Sequence, residues 1–323
     1  MSADIVQHPA ADSPATSKFR RLYEEALAIQ NHDAWQTGDV GYINRVMVQA
    51  TLPYKEPKGN PQAWGRRAGN FSLLIQPGVY LKPDPKAPDA VIPTSLGYPF
   101  GSKPRLILAW LGREVKRQQS REIKLGRSLR QFLEELGIEN VSGGVRGSIT
   151  QTREQMRRLF SSRIALVEDV SPNQLNWTTE SMQIADRQNL WWDPSRPEQS
   201  DLFESTVSLS ERFYNELSNF AVPVDLRALR VLRSSPFELD LYCWLTYRFY
   251  SLSRRTVVPW EALQAQFGSE EKNERKFRWQ LRKALRSVLT VYQDAHVEHS
   301  ASGLVLQPSR TSVKMLPRTK SPE

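Results

Sequence analysis

The sequence predicts an α+β protein built from two tandem winged helix-turn-helix domains, pseudo-duplicated along the chain and flanked by flexible termini. Three observations support this prediction. The chain has 323 residues, more than a single hydrophobic core usually accommodates. The same order of elements, namely helix, strand, helix, helix, strand and strand, occurs twice in the hydrophobic pattern. Both second helices end at a glycine, Gly137 and Gly268, and we expect each glycine to adopt the left-handed conformation that caps a helix.

The predicted domains leave a short tail at each end of the chain. Residues 1–18 and 311–323 are rich in Pro and Ser and lack hydrophobic periodicity, so we expect both to be disordered. The N-terminal domain is predicted at 19–207 and the C-terminal domain at 208–310.

The N-terminal domain opens with three predicted elements. Helical spacing of apolar residues indicates an amphipathic helix at 19–29. Two strand candidates follow at 46–52 and 71–75, which could pair as a hairpin. Their exposed edge would offer a second chain a place to pair, and we expect a mixture of monomer and dimer.

The two repeats follow in order. The first is predicted as a helix at 103–118, an extended segment at 122–125, a helix at 128–137, a basic helix at 148–162 and strands that begin at 163–167. The second is predicted as a helix at 236–251, an extended segment at 256–258, a helix at 260–268, a basic helix at 272–292 and strands at 296–299 and 304–306. In a winged helix the third helix enters a DNA groove and the terminal hairpin forms the wing.

The charge is segregated along the chain. The net charge is +9, and residues 101–163 carry 14 Lys or Arg against 6 Asp or Glu, while residues 270–286 carry 7 against 3. Residues 164–245 are acidic, with 6 basic against 13 acidic side chains. Positive charge therefore coincides with both predicted helix-turn-helix segments, which is the pattern expected of surfaces that face nucleic-acid phosphates.

The basic helix of the second repeat is predicted to be the main DNA-binding element. Its helical periodicity buries Phe277, Leu281, Ala284, Leu285, Val288 and Tyr292 on one face. The opposite face carries arginines, whose planar guanidinium suits both phosphates and guanine edges. The candidate DNA-binding residues on this helix are Lys272, Arg275, Lys276, Arg278, Arg282, Lys283 and Arg286.

The basic helix of the first repeat is the second candidate. It is predicted to bury Ile149, Met156, Leu159 and Phe160. Its outward candidates are Thr150, Gln151, Arg153, Arg157 and Arg158. Lys103 and Arg105, at the start of the preceding helix, are candidates for backbone phosphate contact, with ordinary surface charge as an equal alternative.

The sequence offers no support for catalysis, so we expect a protein that is not an enzyme and needs no cofactor. It contains no Gly-Lys-Ser/Thr phosphate loop, and His296 and His299 lack the carboxylate or cysteine company of a metal site. The lone Cys243 lies in an apolar context that indicates a core thiol. No stretch is apolar enough for a membrane span and no signal peptide is visible, so we expect a cytoplasmic protein without membrane contact.

Several separated segments resemble the plasmid-encoded RepA-type replication initiators. They lie within about 90–310, at 96–105, 120–128, 209–214, 240–245 and 260–268. The resemblance implies tandem winged helices that bind repeated double-stranded sites, the iterons, at a plasmid origin. It further implies opening of the adjacent duplex, recruitment of the host initiator and replicative helicase, and repression of the protein's own promoter by a dimer.

Two other functions stay open at this stage. The same fold would serve a transcriptional repressor on an operator, without a replication role. Alternatively, the basic faces would meet acidic protein partners, as in a scaffold.

Overall fold

The structure is a computed structural model that describes residues 17–49, 51–68, 71–139, 142, 144, 147–168, 178–190, 192, 204–268, 271 and 273–314. Its helices are α1 (Ser17–Gln30), α2 (Ala34–Thr37), α3 (Arg45–Gln49), α4 (Ser102–Gln118), α5 (Leu129–Glu135), α6 (Ser148–Ser161), α7 (Glu211–Phe220), α8 (Leu226–Leu232), α9 (Pro236–Ser251), α10 (Trp260–Phe267) and α11 (Glu274–Val291). Its strands are β1 (Val40–Ile43), β2 (Trp64–Ala68), β3 (Phe71–Gln76), β4 (Val79–Asp84), β5 (Ala87–Ser95), β6 (Glu122–Gly126), β7 (Arg163–Glu168), β8 (Thr178–Gln183), β9 (Ala185–Asn189), β10 (Ser205–Leu209), β11 (Val222–Asp225), β12 (Thr256–Pro259), β13 (Val297–His299) and β14 (Gly303–Leu306). The predicted α+β class is therefore confirmed.

The second unit, residues 236–306, contains every element that the sequence pattern predicts. Helix α9, strand β12, helices α10 and α11 and strands β13 and β14 follow in the predicted order. The three strands form one antiparallel sheet in the order β12-β14-β13. Helices α10 and α11 pack against each other, and α11 packs against α9.

The first unit, residues 102–209, has the same sheet order with different strands from those predicted. Strand β6 pairs with β10 and β10 with β9, which gives the order β6-β10-β9. The segment at 163–168, expected as the start of the wing, instead joins β2, β3 and β8 in a separate four-stranded sheet. The error arose because a strand directly after α6 fits the wing pattern equally well, and only long-range pairing tells the two assignments apart.

The predicted hairpin of 46–52 with 71–75 is wrong. Residues 45–49 form the short helix α3, which packs on α9 and buries Val48, since a short apolar run does not separate helix from strand. Strand β3 lies inside its sheet, between β2 and β7. It therefore has no free edge for a second chain.

The N-terminal segment packs on the C-terminal half of the chain. The predicted amphipathic helix is present as α1, and it lies against α8 and α11. Strand β1 pairs with β11 in register Val40 with Asp225. The predicted division at 207/208 falls inside β10, and one continuous hydrophobic core runs from Ala26 to Leu306.

Helix α4 lies at the centre of this core. Ile107, Ala109 and Leu111 are fully buried, and the helix contacts β1, α6, α7, α8 and α9. A Cβ at Gly112 would lie 1.9 Å from the carbonyl oxygen of Tyr42, so glycine is what lets β1 approach α4 so closely. None of the helices in the described part of the chain is long and apolar enough to cross a membrane.

Two further expectations have mixed outcomes. Gly137 has the predicted left-handed conformation (φ +77°), whereas Gly268 has φ −99° and does not. Residues 1–16 and 315–323 lie outside the described residues, but the predicted tails extend too far into the chain at both ends. Residues 17 and 18 belong to α1, and Val313 is buried while the Trp35 indole donates a 2.8 Å hydrogen bond to the Lys314 carbonyl.

Candidate nucleic-acid interface

Helix α11 has the two faces that the sequence predicts. The Asn273 side chain caps its start by accepting a hydrogen bond from the Lys276 amide at 3.0 Å. All six residues predicted for the apolar face are buried: Phe277, Leu281, Ala284, Leu285, Val288 and Tyr292. The remaining face, which carries the arginines, is turned to solvent.

The buried indole of Trp260, at the start of α10, organises the basic face. The guanidinium carbons of Arg278 and Arg282 lie over its ring at 5.3 and 5.7 Å from the ring centroid. Its Nε1 donates a 3.1 Å hydrogen bond to the carbonyl of Ser300, in the turn between β13 and β14. One side chain thus joins α10, the arginines of α11 and the turn of the hairpin.

The cations of α11 differ in whether they form ion pairs within the protein. Arg278 also pairs with Glu274, and the Lys276 ammonium lies 2.5 Å from a Glu271 carboxylate oxygen. The hydrogen bond from Lys276 lowers the pKa of the Glu271 carboxyl. Arg275, Arg282, Lys283 and Arg286 are exposed. Lys272, the remaining candidate of the second repeat, lies outside the described residues.

An aromatic residue that sequence reasoning missed lies on the same face. Trp279 is 60% exposed, and the Lys283 ammonium lies 5.5 Å from the centroid of its ring. The helical periodicity that separates the arginines from the apolar stripe places Trp279 among the arginines, so the sequence did contain the signal.

Helix α6 buries the residues predicted for its inner face, Ile149, Met156, Leu159 and Phe160. Of the outward candidates, Arg153 is exposed and the Thr150 hydroxyl donates a 2.7 Å hydrogen bond to the Gly144 carbonyl. The Arg157 guanidinium lies 5.0 Å from the ring centroid of Tyr80 on β4. Arg157 therefore links the outer face of α6 to the β4–β5 hairpin.

Arg158 was predicted to face outward, and this prediction is wrong. Its side chain is only 16% exposed and forms ion pairs with Glu56 at 2.5 Å and Glu154 at 3.2 Å. Its guanidinium also lies 5.5 Å from the ring centroid of Phe100. Arg158 links α6 to two loops. Its guanidinium is already paired with two carboxylates, so it is poorly placed to bind a phosphate.

Lys103 and Gln151 are hydrogen-bonded to each other. The Lys103 ammonium donates a 2.6 Å hydrogen bond to Oε1 of Gln151, which brings the start of α4 and the first turn of α6 together. Partial burial lowers the pKa of the Lys103 ammonium. The two candidates therefore lie at one point on the surface of the first unit.

Arg105 is a structural residue, and its prediction as a phosphate contact is wrong. Its guanidinium is buried and forms two hydrogen bonds with the Asp240 carboxylate, at 2.7 and 2.8 Å. The carbonyl oxygens of Leu52 and Gly101 accept the remaining short bonds, at 2.7 and 2.6 Å. No spacing in the sequence indicates Asp240 as a partner, because it lies on a different helix far along the chain.

Comparison with known proteins gives a family match and similar solved structures. The family described as plasmid-encoded RepA protein matches residues 98–262. Among solved structures, the chain resembles domains 2 and 3 of RctB, with 11% sequence identity, a TM-score of 0.51, and coverage of 80% of this chain and 95% of that chain. A second structure of RctB domains 2–3 aligns at 13% identity and a TM-score of 0.48, covering 80% and 94% of the two chains. No sequence among the curated proteins matches the chain.

The family match defines the class as a plasmid replication protein. The family match covers half of the chain, from the loop before α4 into α10, and the chain belongs to the plasmid-encoded RepA family. The predicted resemblance is thereby confirmed, and membership supports a role in initiating plasmid replication.

Proposed function

We propose that this chain initiates plasmid replication by binding iterons in double-stranded origin DNA through two tandem winged helices. The main observation behind this proposal is the exposed cationic face of α11, which belongs to a unit of three helices and one three-stranded sheet. In such a unit the third helix fits the major groove and the hairpin meets the flanking backbone. Trp260 supports this assignment, because it fixes α11 and the hairpin turn relative to each other.

The tandem arrangement is supported by the shared strand order of the two sheets. In each unit the strand before the helix pair hydrogen-bonds to the last strand, which lies in the middle. By this correspondence α6 is the counterpart of α11. Arg153 and Arg157 would then contact the backbone of a second stretch of DNA, with Thr150 beside them, while α11 reads sequence.

The finer steps follow from the family and are part of the same proposal. Bound initiator opens the adjacent duplex without an ATPase of its own and recruits the host initiator and replicative helicase. A dimer represses the protein's own promoter. If the dimer forms through the predicted N-terminal domain, 19–207, it uses a surface other than β3, which has neighbours on both sides.

The binding experiment compares charge on the basic face with equal charge elsewhere. The triple variant Arg275→Ala, Arg282→Ala and Arg286→Ala should abolish the footprint on the origin of the chain's own plasmid. The control variant removes three exposed cations from other surfaces, Arg20, Lys124 and Lys314, whose side chains are 81%, 66% and 78% exposed. An equal loss in both variants would mean that net charge, and not α11, determines binding.

Two further measurements separate the alternatives. A plasmid that carries the origin should be maintained only when this chain is supplied, whereas a repressor would silence a promoter and leave maintenance unaffected. Partner capture that persists after DNase treatment and is lost in the triple variant would instead favour a protein scaffold.

A further inference from the structure

Trp279 is an exposed indole surrounded by cations. On a helix with 3.6 residues per turn, Arg275, Trp279, Arg282, Lys283 and Arg286 fall within an arc of about 100°. Residues three and four apart are neighbours on a helix surface, so Arg275, Arg282 and Lys283 all adjoin the indole. Trp279 is 60% exposed, whereas the apolar residues of the opposite face are buried.

This setting restricts what Trp279 can contact. An apolar protein surface that covered the indole would also have to remove the flanking cations from water, which is unfavourable without paired anions. A polyanion neutralises those cations, and the indole then needs an apolar group within the polyanion. Duplex DNA offers one such group in the major groove, the 5-methyl of thymine, because the base faces are stacked and inaccessible.

We infer that Trp279 is a specificity residue that contacts a thymine 5-methyl group in the major groove. The inference rests on the proposed function, since it assumes that α11 enters the groove. The arginines around the indole would bind phosphates and guanine edges, and the cation–π contact with Lys283 would hold the indole in place. Trp279 would then add a preference for A·T pairs that arginine contacts do not provide.

The test starts from a duplex that the wild-type full chain selects from a random pool. Each thymine in that duplex is then replaced singly by deoxyuridine, which removes only the methyl group. At one or two positions the wild-type protein should bind about fourfold more weakly, the equivalent of one buried methyl at about 0.8 kcal/mol. Trp279→Ala should bind the thymine and deoxyuridine duplexes equally at those positions, while Trp279→Phe should retain part of the difference.

Controls keep the outcomes distinct. Tyr250→Ala removes another exposed aromatic, on α9, and should leave both affinity and the thymine preference unchanged. Trp279→Ala should keep the wild-type salt dependence, because no charge is lost. A selected duplex on which Trp279→Ala retains the wild-type thymine preference would overturn this inference alone. Failure of the wild-type chain to select any duplex would overturn the proposed function and this inference with it.

Discussion

Arg105 and Asp240 form a buried bidentate ion pair, in which Nε of Arg105 lies 2.7 Å from Oδ1 of Asp240 and Nη2 lies 2.8 Å from Oδ2. Arg105 lies near the start of α4 and Asp240 near the start of α9, the first helices of the two units. The pair therefore joins the repeated halves of the protein at corresponding points.

Removing one partner of this pair should destabilise the whole fold. Arg105→Met leaves the Asp240 carboxylate buried without its cation, which typically costs about 3–5 kcal/mol of unfolding free energy. Denaturant unfolding followed by circular dichroism measures the loss. Arg20→Met is the control, because the Arg20–Glu24 pair is exposed and should contribute less than about 1 kcal/mol. Weaker DNA binding by Arg105→Met at unchanged stability would instead favour a phosphate contact.

Binding to duplex DNA should weaken steeply with salt. Counterion release predicts a slope of about −0.9 in log affinity against log salt for each phosphate contacted. Arg286→Ala should lower the magnitude of that slope by about one unit if this exposed arginine meets the backbone. Fluorescence anisotropy over a salt series measures both quantities, and a flat wild-type slope would contradict groove binding.

Arg275 should affect sequence preference more than general affinity. A bidentate contact from arginine to a guanine edge is worth about 1–3 kcal/mol of discrimination. Arg275→Ala should therefore lose more affinity for a selected duplex than for random DNA, as measured by competition binding. Equal losses on the two DNAs would assign Arg275 to the phosphate backbone.

Trp260 should couple the hairpin to α11. Trp260→Phe keeps a buried ring but removes the N–H that bonds the Ser300 carbonyl, a loss of about 1 kcal/mol in stability. Affinity for a selected duplex should fall as well, because Arg278 and Arg282 lose part of their aromatic support. Calorimetric unfolding together with anisotropy checks both effects, and unchanged affinity would show that the arginines do not need this ring.

Alkaline pH should destabilise the protein. Burial raises the pKa values of the Tyr54, Tyr242, Tyr292 and Cys243 side chains above their ordinary values, about 10 for Tyr and 8.5 for Cys. At a pH above these ordinary pKa values, the unfolded chain releases protons that the folded chain retains. The free energy of unfolding therefore falls as pH rises. The unfolding midpoint should therefore be lower at about pH 10.5 than at about pH 8, and phenolate absorbance should show buried tyrosines titrating only on unfolding.

Local pattern was enough to predict the second unit, because its helices and strands follow one another without insertion. The two faces of α11 followed from periodicity alone, as the buried Phe277 and Leu281 show. Long-range pairing could not be predicted. Arg105 and Arg158 looked like surface cations because their partners, Asp240 and Glu56, are distant in sequence. The position of β3 inside its sheet depended on β7, which the hydrophobic pattern assigned elsewhere.

The packing of α1 on α11 has a consequence for the order of synthesis. The ribosome makes α1 long before α11. The helix on which α1 packs is therefore complete only after translation has passed Val291. At about 5–20 residues per second the N-terminal helix waits roughly tens of seconds for that surface. Strand β1 likewise waits for β11. Nascent chains that end before α11 therefore contain α1 without the helix on which it packs, so the N-terminal segment can complete its packing only late in synthesis.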